Sequence, residues 1–177
     1  NKIIKHNTFW LSKSPDKVGS QLWYSLYPRI CTTAVVELEN GDKVRVYNTH
    51  LDCFLPQARD FGLKKLSQFI DKNRKEEKLP VIVMGDFNAT PDSKIIKKFA
   101  AGEYNTDRFV AVQEVKRELY KKSTMSKFKG KENGIHIDYI FVSEDLEIVD
   151  VDIVKYNDNG SYPSDHYPLL ADIKIKK

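Results

Sequence analysis

Residues 80–88 read Pro80-Val81-Ile82-Val83-Met84-Gly85-Asp86-Phe87-Asn88, an apolar run that stops at a glycine and hands over at once to an acid, an aromatic ring and an amide. A short continuous apolar run bounded by turn residues is the pattern of a strand buried on both faces. Whatever follows such a strand is delivered to a sheet edge. Strand ends in layered α/β folds are where polar side chains from distant positions converge. If the strand-like course continues, Asp86 and Asn88 lie two apart and share a face.

Upstream, β-branched and aromatic residues dominate from Thr8 to Leu11 and from Arg29 to Leu38, which predicts two strands separated by a long loop over Ser12 to Pro28. Asn40-Gly41-Asp42 is a hairpin turn leading to a third strand, Lys43 to Leu51, antiparallel to the second. After Pro56, the residues Phe61, Leu63, Leu66, Phe69 and Ile70 recur at helical spacing and predict an amphipathic helix ending near Lys75, with one face on a sheet. Downstream, Thr90-Pro91-Asp92-Ser93 reads as the start of a short helix over Lys94 to Ala101. Phe109 to Leu119 fits strand or helix, and the Lys-rich stretch Lys116 to Lys131 contains a loop. Three strands follow at Ile135 to Val142, Leu146 to Tyr156 and Leu169 to Ile175, with a loop from Asn157 to Pro168.

The 177 residues suit one domain, and no apolar run reaches the roughly 18 residues of a bilayer span. A formal charge of +4 permits a polyanionic substrate but is no dedicated nucleic-acid footprint. Cys31 and Cys53 lack zinc-type spacing and are expected to be buried reduced thiols. Asn1 is not an initiator methionine, so the start reads as processed or truncated; a cytoplasmic location is expected, with secretion as the alternative.

Four polar clusters fall at or just beyond strand ends: Asn48-Thr49-His50, Asp86-Phe87-Asn88, Asp138, and Ser164-Asp165-His166. Alone, each has an ordinary structural explanation as a turn cap, a loop hydrogen bond or a satisfied polar residue. Together they are harder to dismiss, because a specified tetrapeptide arises by accident in roughly one chain of this length in a thousand. Gly85-Asp86-Phe87-Asn88 after a buried strand, Asn48-Thr49-His50-Leu51 on an earlier one, Ile137-Asp138-Tyr139-Ile140-Phe141 on a later one and Ser164-Asp165-His166 before the last resemble the endonuclease/exonuclease/phosphatase superfamily. Phe9-Trp10-Leu11-Ser12 with Ser14-Pro15, and Pro28-Arg29-Ile30-Cys31-Thr32, are similar to a bacterial branch related to the deadenylase and nocturnin group.

The resemblance implies an α/β (α+β) fold, the deoxyribonuclease-I-like four-layer α/β/β/α sandwich. It also implies a phosphodiester or phosphate-ester hydrolase dependent on Mg2+ or Mn2+. Such chemistry needs an aligned water, donors for the non-bridging oxygens and a cation against the developing charge. On this expectation Asp86 orients or deprotonates the water and Asn88 holds it or a phosphate oxygen. His166 contacts a phosphate oxygen while Asp138 accepts from its other ring nitrogen, a pairing that raises the imidazole pKa. Asp165 and Asp86 lie near the metal, which prefers oxygen ligands. His50 is a second phosphate donor or the proton source for the leaving group, Asn48 positions it, and Arg29 adds a phosphate contact.

The superfamily also carries an Asn on its first strand and a metal-binding Glu after a following strand, and neither has a counterpart upstream of Trp10. Gln113-Glu114 looks similar but comes after Gly85-Asp86-Phe87-Asn88, so Glu114 is read as a solvated residue. Residues 1–177 are therefore expected to be the C-terminal portion of a single domain, weakly active alone. The substrate stays open between nucleic acid, slightly favoured, a phosphoinositide or sphingomyelin head group, and a small phosphodiester. A nuclease would use Lys116, Lys121, Lys122, Lys127, Lys129 and Lys131; a lipid enzyme would expose Trp23, Tyr24 and Tyr27. A non-catalytic binding protein retaining the fold is the alternative from another class. No partner protein is implied.

Overall fold

The hairpin at Asn40-Gly41-Asp42 seeds the main sheet. In the computed structural model, which describes residues 1–104 and 108–176, Gly41 takes a φ of 85° and donates its N–H to Leu38. That turn joins β2 (Ile30–Glu37) to β3 (Lys43–His50) in antiparallel register, with Thr33 opposite Tyr47. β1 (Lys2–Trp10) pairs antiparallel on the far side of β2. The next strand, β4 (Val81–Asp86), lies parallel to β3, because α1 (Pro56–Glu76) carries the chain back across one face of the sheet between them. α2 (Lys94–Ala100), β5 (Phe109–Ala111) and β6 (Asp138–Ser143) complete this half, giving the strand order β1-β2-β3-β4-β6-β5. β7 (Leu146–Ile153) and β8 (Leu169–Ile175) form a separate antiparallel pair.

Two cores follow from the alternation of side chains across the sheet. On the helical face, Leu63, Leu66 and Ile70 of α1 meet Tyr47, Val81 and Val83, and Phe69 stacks on Phe9 with ring centroids 3.8 Å apart. Phe87, Phe99, Tyr139 and Phe141 pack as an aromatic cluster at the α2 end. α1 begins with Pro56 at its first turn, where no N–H is missed, and ends with Arg74 and Lys75 against the negative end of its dipole. On the opposite face Val44 and Val142 pack against Val151, Ile153 and Leu146 of the two-stranded sheet. The described residues thus form the α/β/β part of the expected sandwich.

Several boundaries differ from the sequence reading. β1 starts at Lys2 rather than Thr8, since backbone pairing with β2 runs to Lys2 opposite Glu37 while its outer residues stay exposed and show no apolar pattern. β4 is buried at Val81 and Val83 but only half-buried at Ile82 and Met84, so its second face is not sealed. Phe109 to Leu119 divides into the three-residue β5 and a 3-10 helical segment, Val112–Lys121. β6 begins at Asp138, not Ile135, because the Ile135 carbonyl and Ile137 N–H are taken by Thr124. β7 ends at Ile153, short of Tyr156, where the Val154 N–H turns to the Pro168 carbonyl. Cys31 is buried as expected; Cys53 is exposed.

Candidate active site

Three strand positions line up across the sheet: His50 pairs in register with Asp86, and Asp86 with Asp138. The approach of β3 to β4 is possible only with glycine at 85. Gly85 has a φ of 133°, and a Cβ there would collide with the Thr49 carbonyl oxygen. Beyond Asp86 the chain leaves the sheet. Phe87 plunges into the aromatic core, its N–H bonded to the Ile137 carbonyl at 2.9 Å. Asn88 turns left-handed at a φ of 47°, so it does not continue the strand. Its backbone N–H instead returns to the Asp86 carboxylate at 2.7 Å, and its side-chain amide donates to the Leu51 carbonyl at 3.0 Å.

His166 reaches this row from the loop before β8 and donates from Nδ1 to the Asp138 carboxylate at 2.8 Å. The His50 Nε2 lies 3.3 Å from the Asp86 carboxylate. Ligand-type atoms of Asp86, Asp138 and His166 all fall within 4.8 Å of one another. Burial, with the charge of Asp138 adding to it, pushes the Asp86 carboxyl above its ordinary value, while the Asn88 N–H works the other way. The hydrogen bond to Asp138 raises the His166 imidazole. Burial lowers the His50 imidazole, against the pull of Asp86. Two carboxylates this close repel, and a hard divalent cation held by Asp86 and Asp138 would relieve that repulsion. The donor set therefore fits such an ion.

The other expected site residues are distributed around the row. Asn48 is exposed and lines a cleft of about 270 Å3 with Met84, Gly85, Asp138 and His166. Arg29 is close enough to lower the His50 pKa by repulsion, and its guanidinium donates to Cys53 Sγ at 3.3 Å. The Asp165 side chain is exposed and outside the group of three; its carbonyl accepts from the N–H groups of Ser126 and Lys127. Glu114 is exposed and accepts from Tyr120, consistent with a solvated residue.

Two residues that matter to the row are assigned no role from the sequence. Thr124, fully buried, accepts the N–H groups of both Ile137 and Asp138 at its hydroxyl, at 3.0 and 3.3 Å. Its carbonyl accepts the Tyr167 N–H at 2.7 Å, and neighbouring Met125 bridges His166. This one residue ties the Asp138 strand to the His166 loop. Gln113, also buried, donates to the Asp138 carbonyl at 3.0 Å and to the His136 ring at 2.9 Å. A threonine inside a Lys-rich stretch gives no signal in one sequence.

The sequence model of the endonuclease/exonuclease/phosphatase family matches residues 9–166. No curated protein is significantly similar in sequence. Among solved structures, a mannosyl-6-phosphatase of Bacteroides thetaiotaomicron superposes with a TM-score of 0.83 at 23% identity, over 98% of this chain and 67% of that one. The human Nocturnin catalytic domain with bound sulfate gives 0.72 at 20% identity, over 99% and 60%. TDP2 of D. rerio, complexed with a single-strand DNA product, gives 0.65 at 17% identity, over 98% and 68%. The chain thus spans about two thirds of the length of the structures it matches.

Proposed function

The chain belongs to the endonuclease/exonuclease/phosphatase family, and from that premise we propose that it supplies most of the active site of a divalent-metal-dependent phosphoester hydrolase. The observation that carries this reading is the Asp138–His166 pair set directly across from Asp86, with all three within 4.8 Å. A metal ion, Mg2+ or Mn2+, held by the carboxylates of Asp86 and Asp138, would neutralise charge building on the phosphate oxygens.

The remaining steps belong to the side chains. Asp86, one oxygen already fixed by the Asn88 N–H, orients the attacking water and takes its proton. His166, held in a donating form by Asp138, stabilises a non-bridging oxygen through its free ring nitrogen. His50, 3.3 Å from the Asp86 carboxylate, serves the leaving oxygen. Arg29 adds positive charge at that edge. Lys127, tied by its N–H to the Asp165 carbonyl, places part of the basic stretch beside the site and favours a polyanionic, nuclease-like substrate. Lys116 is paired with Asp150 on β7 and does not contribute to that rim. As part of the same proposal, the chain forms the C-terminal portion of a single domain, in keeping with the length of the structures it matches.

The test is a panel of phosphodiesters and phosphomonoesters assayed with Mg2+ or Mn2+. Asp86→Ala and His166→Ala are each expected to lower kcat by about 10²-fold or more, and chelation to abolish turnover. Hydrolysis of every substrate at the unsubstituted rate by both variants would remove this mechanism, and no turnover of any substrate would leave a non-catalytic binding protein as the reading.

A further inference from the structure

Arg45 precedes His50 on β3 by about 16 Å of extended strand and, two residues before the buried Tyr47, faces the helical side of the sheet. Strand register sets two rows there. Lys5, Val35 and Arg45 lie abreast on β1, β2 and β3, and Asn7, Thr33 and Tyr47 lie abreast in the next row on the same face. Phe69, Lys72 and Asn73, at helical spacing on α1, lie over them. Between helix and strands is a cavity of about 310 Å3 lined by Lys5, Asn7, Arg45, Phe69, Lys72 and Asn73 among others. It shares no lining residue with the cleft at Asp138 and His166.

The charge of this cavity is one-sided: Lys5, His6, Arg45 and Lys72 line it, and no Asp or Glu does. Arg45 is only 4% exposed. It donates to the half-exposed Glu77 at 3.2 Å, and its Nε is buried with no acceptor. A guanidinium carries five N–H groups, so one carboxylate leaves most of them unmet, and a buried cation short of acceptors is costly. Lys5 has no ion pair among the described residues, and Lys72 has only a loose one with Glu76, at 4.0 Å on an exposed helix face. The walls are fixed. The Asn73 amide donates to the Tyr47 hydroxyl at 2.8 Å, and the Phe69 ring is stacked on Phe9.

We propose that this cavity is a second anion site, distinct from the catalytic row, and that its occupant is a phosphate ion held between the β1 edge and α1. Donors converge from three sides: Lys5 and Asn7 from β1, Arg45 from β3 and Lys72 from α1. A tetrahedral oxyanion offers acceptors in all those directions, whereas a carboxylate presents two oxygens in one plane. The volume lies at the lower end of small-molecule sites, which suits one small hydrated anion and not a polymer. Once bound, the ion ties the exposed start of β1 to the helix and meets the unspent donors of Arg45.

Titration of the full chain with inorganic phosphate in metal-free buffer at constant ionic strength, followed by backbone amide NMR, tests the site, with acetate as the planar control. Saturable shifts are expected at Lys5, Asn7, Thr33 and Asn73, and acetate should bind about tenfold more weakly. Lys5→Gln, a change on an exposed strand, should weaken phosphate by about tenfold. Arg45→Lys, which keeps the charge but not the fork, should weaken it as well; should that buried change unfold the chain, Lys5→Gln still decides. Phosphate should raise the thermal midpoint of the unsubstituted chain and of His166→Ala equally, and that of Lys5→Gln less. Shifts confined to the Asp86–His166 row, equal affinity for acetate and phosphate, or unchanged binding by Lys5→Gln would each overturn the site. Turnover is not read, so failure here leaves the phosphoesterase reading untouched.

Discussion

The Asp138–His166 hydrogen bond is the contact with the clearest pH signature. Because the folded-state His166 pKa lies above its ordinary value, the protonated form is bound more tightly in the folded chain. Its contribution to stability is therefore complete below the ordinary histidine value near pH 6.5 and is lost as pH rises through the raised value. The thermal midpoint of metal-free protein should fall across that window; Asp138→Asn should flatten this dependence and lower kcat by about 10²-fold. The Asp86 pKa is raised as well, but by burial rather than by a partner. Burial disfavours its charge, so a cation at its carboxylate relieves a cost present in the folded state. Mg2+ or Mn2+ should raise the thermal midpoint of the unsubstituted chain and leave Asp86→Asn unmoved. These residues are legible in the sequence because their neighbours make a recognisable pattern. Asp165 lies inside such a pattern too, but which atom faces the group depends on the loop, and the loop turns its carbonyl inward against Ser126 and Lys127.

At the scale of elements, β3, β4 and β6 form the row, and the segment around Thr124 fastens the remaining piece to it. Thr124→Val is nearly isosteric but strands the N–H groups of Ile137 and Asp138, at a cost of about 1–3 kcal/mol. It should also lower kcat about tenfold by loosening His166 against Asp138; Thr124→Ser should restore both, as read by chemical denaturation and steady-state kinetics. The strands with strong apolar runs or a turn signal, β2, β3 and β4, can be read from sequence because local pattern and final burial agree. The exposed half of β1 cannot: Lys2 to Lys5 are held by backbone pairing alone and face water. The start of β6 is hidden for a related reason, since the partner of Ile135 and Ile137 is a threonine more than ten residues away rather than a strand.

Across the whole molecule, the two cores differ in kind. The helical side is closed by large fully buried rings, and Phe87→Ala there should cost about 3–5 kcal/mol by urea unfolding. Ile148→Ala in the half-covered β7–β8 layer should cost less than half as much. The layered class can be read from the order of strands and helices. The unequal sealing of the two faces cannot, because the same apolar alternation in β4 is written whether its second face is covered or open.

The parallel pairing of β3 with β4 bears on how the chain reaches this state. β1, β2 and β3 form a meander of neighbours, whereas β4 can join only after α1 has crossed over, and His166 only after β6 is in place. Contacts distant along the chain must await the closure of long loops, which slows them relative to local hairpins. The row of His50, Asp86, Asp138 and His166 should thus be among the last features to assemble. A ligand recognising all four would report on chains that have completed folding and ignore those still on the way.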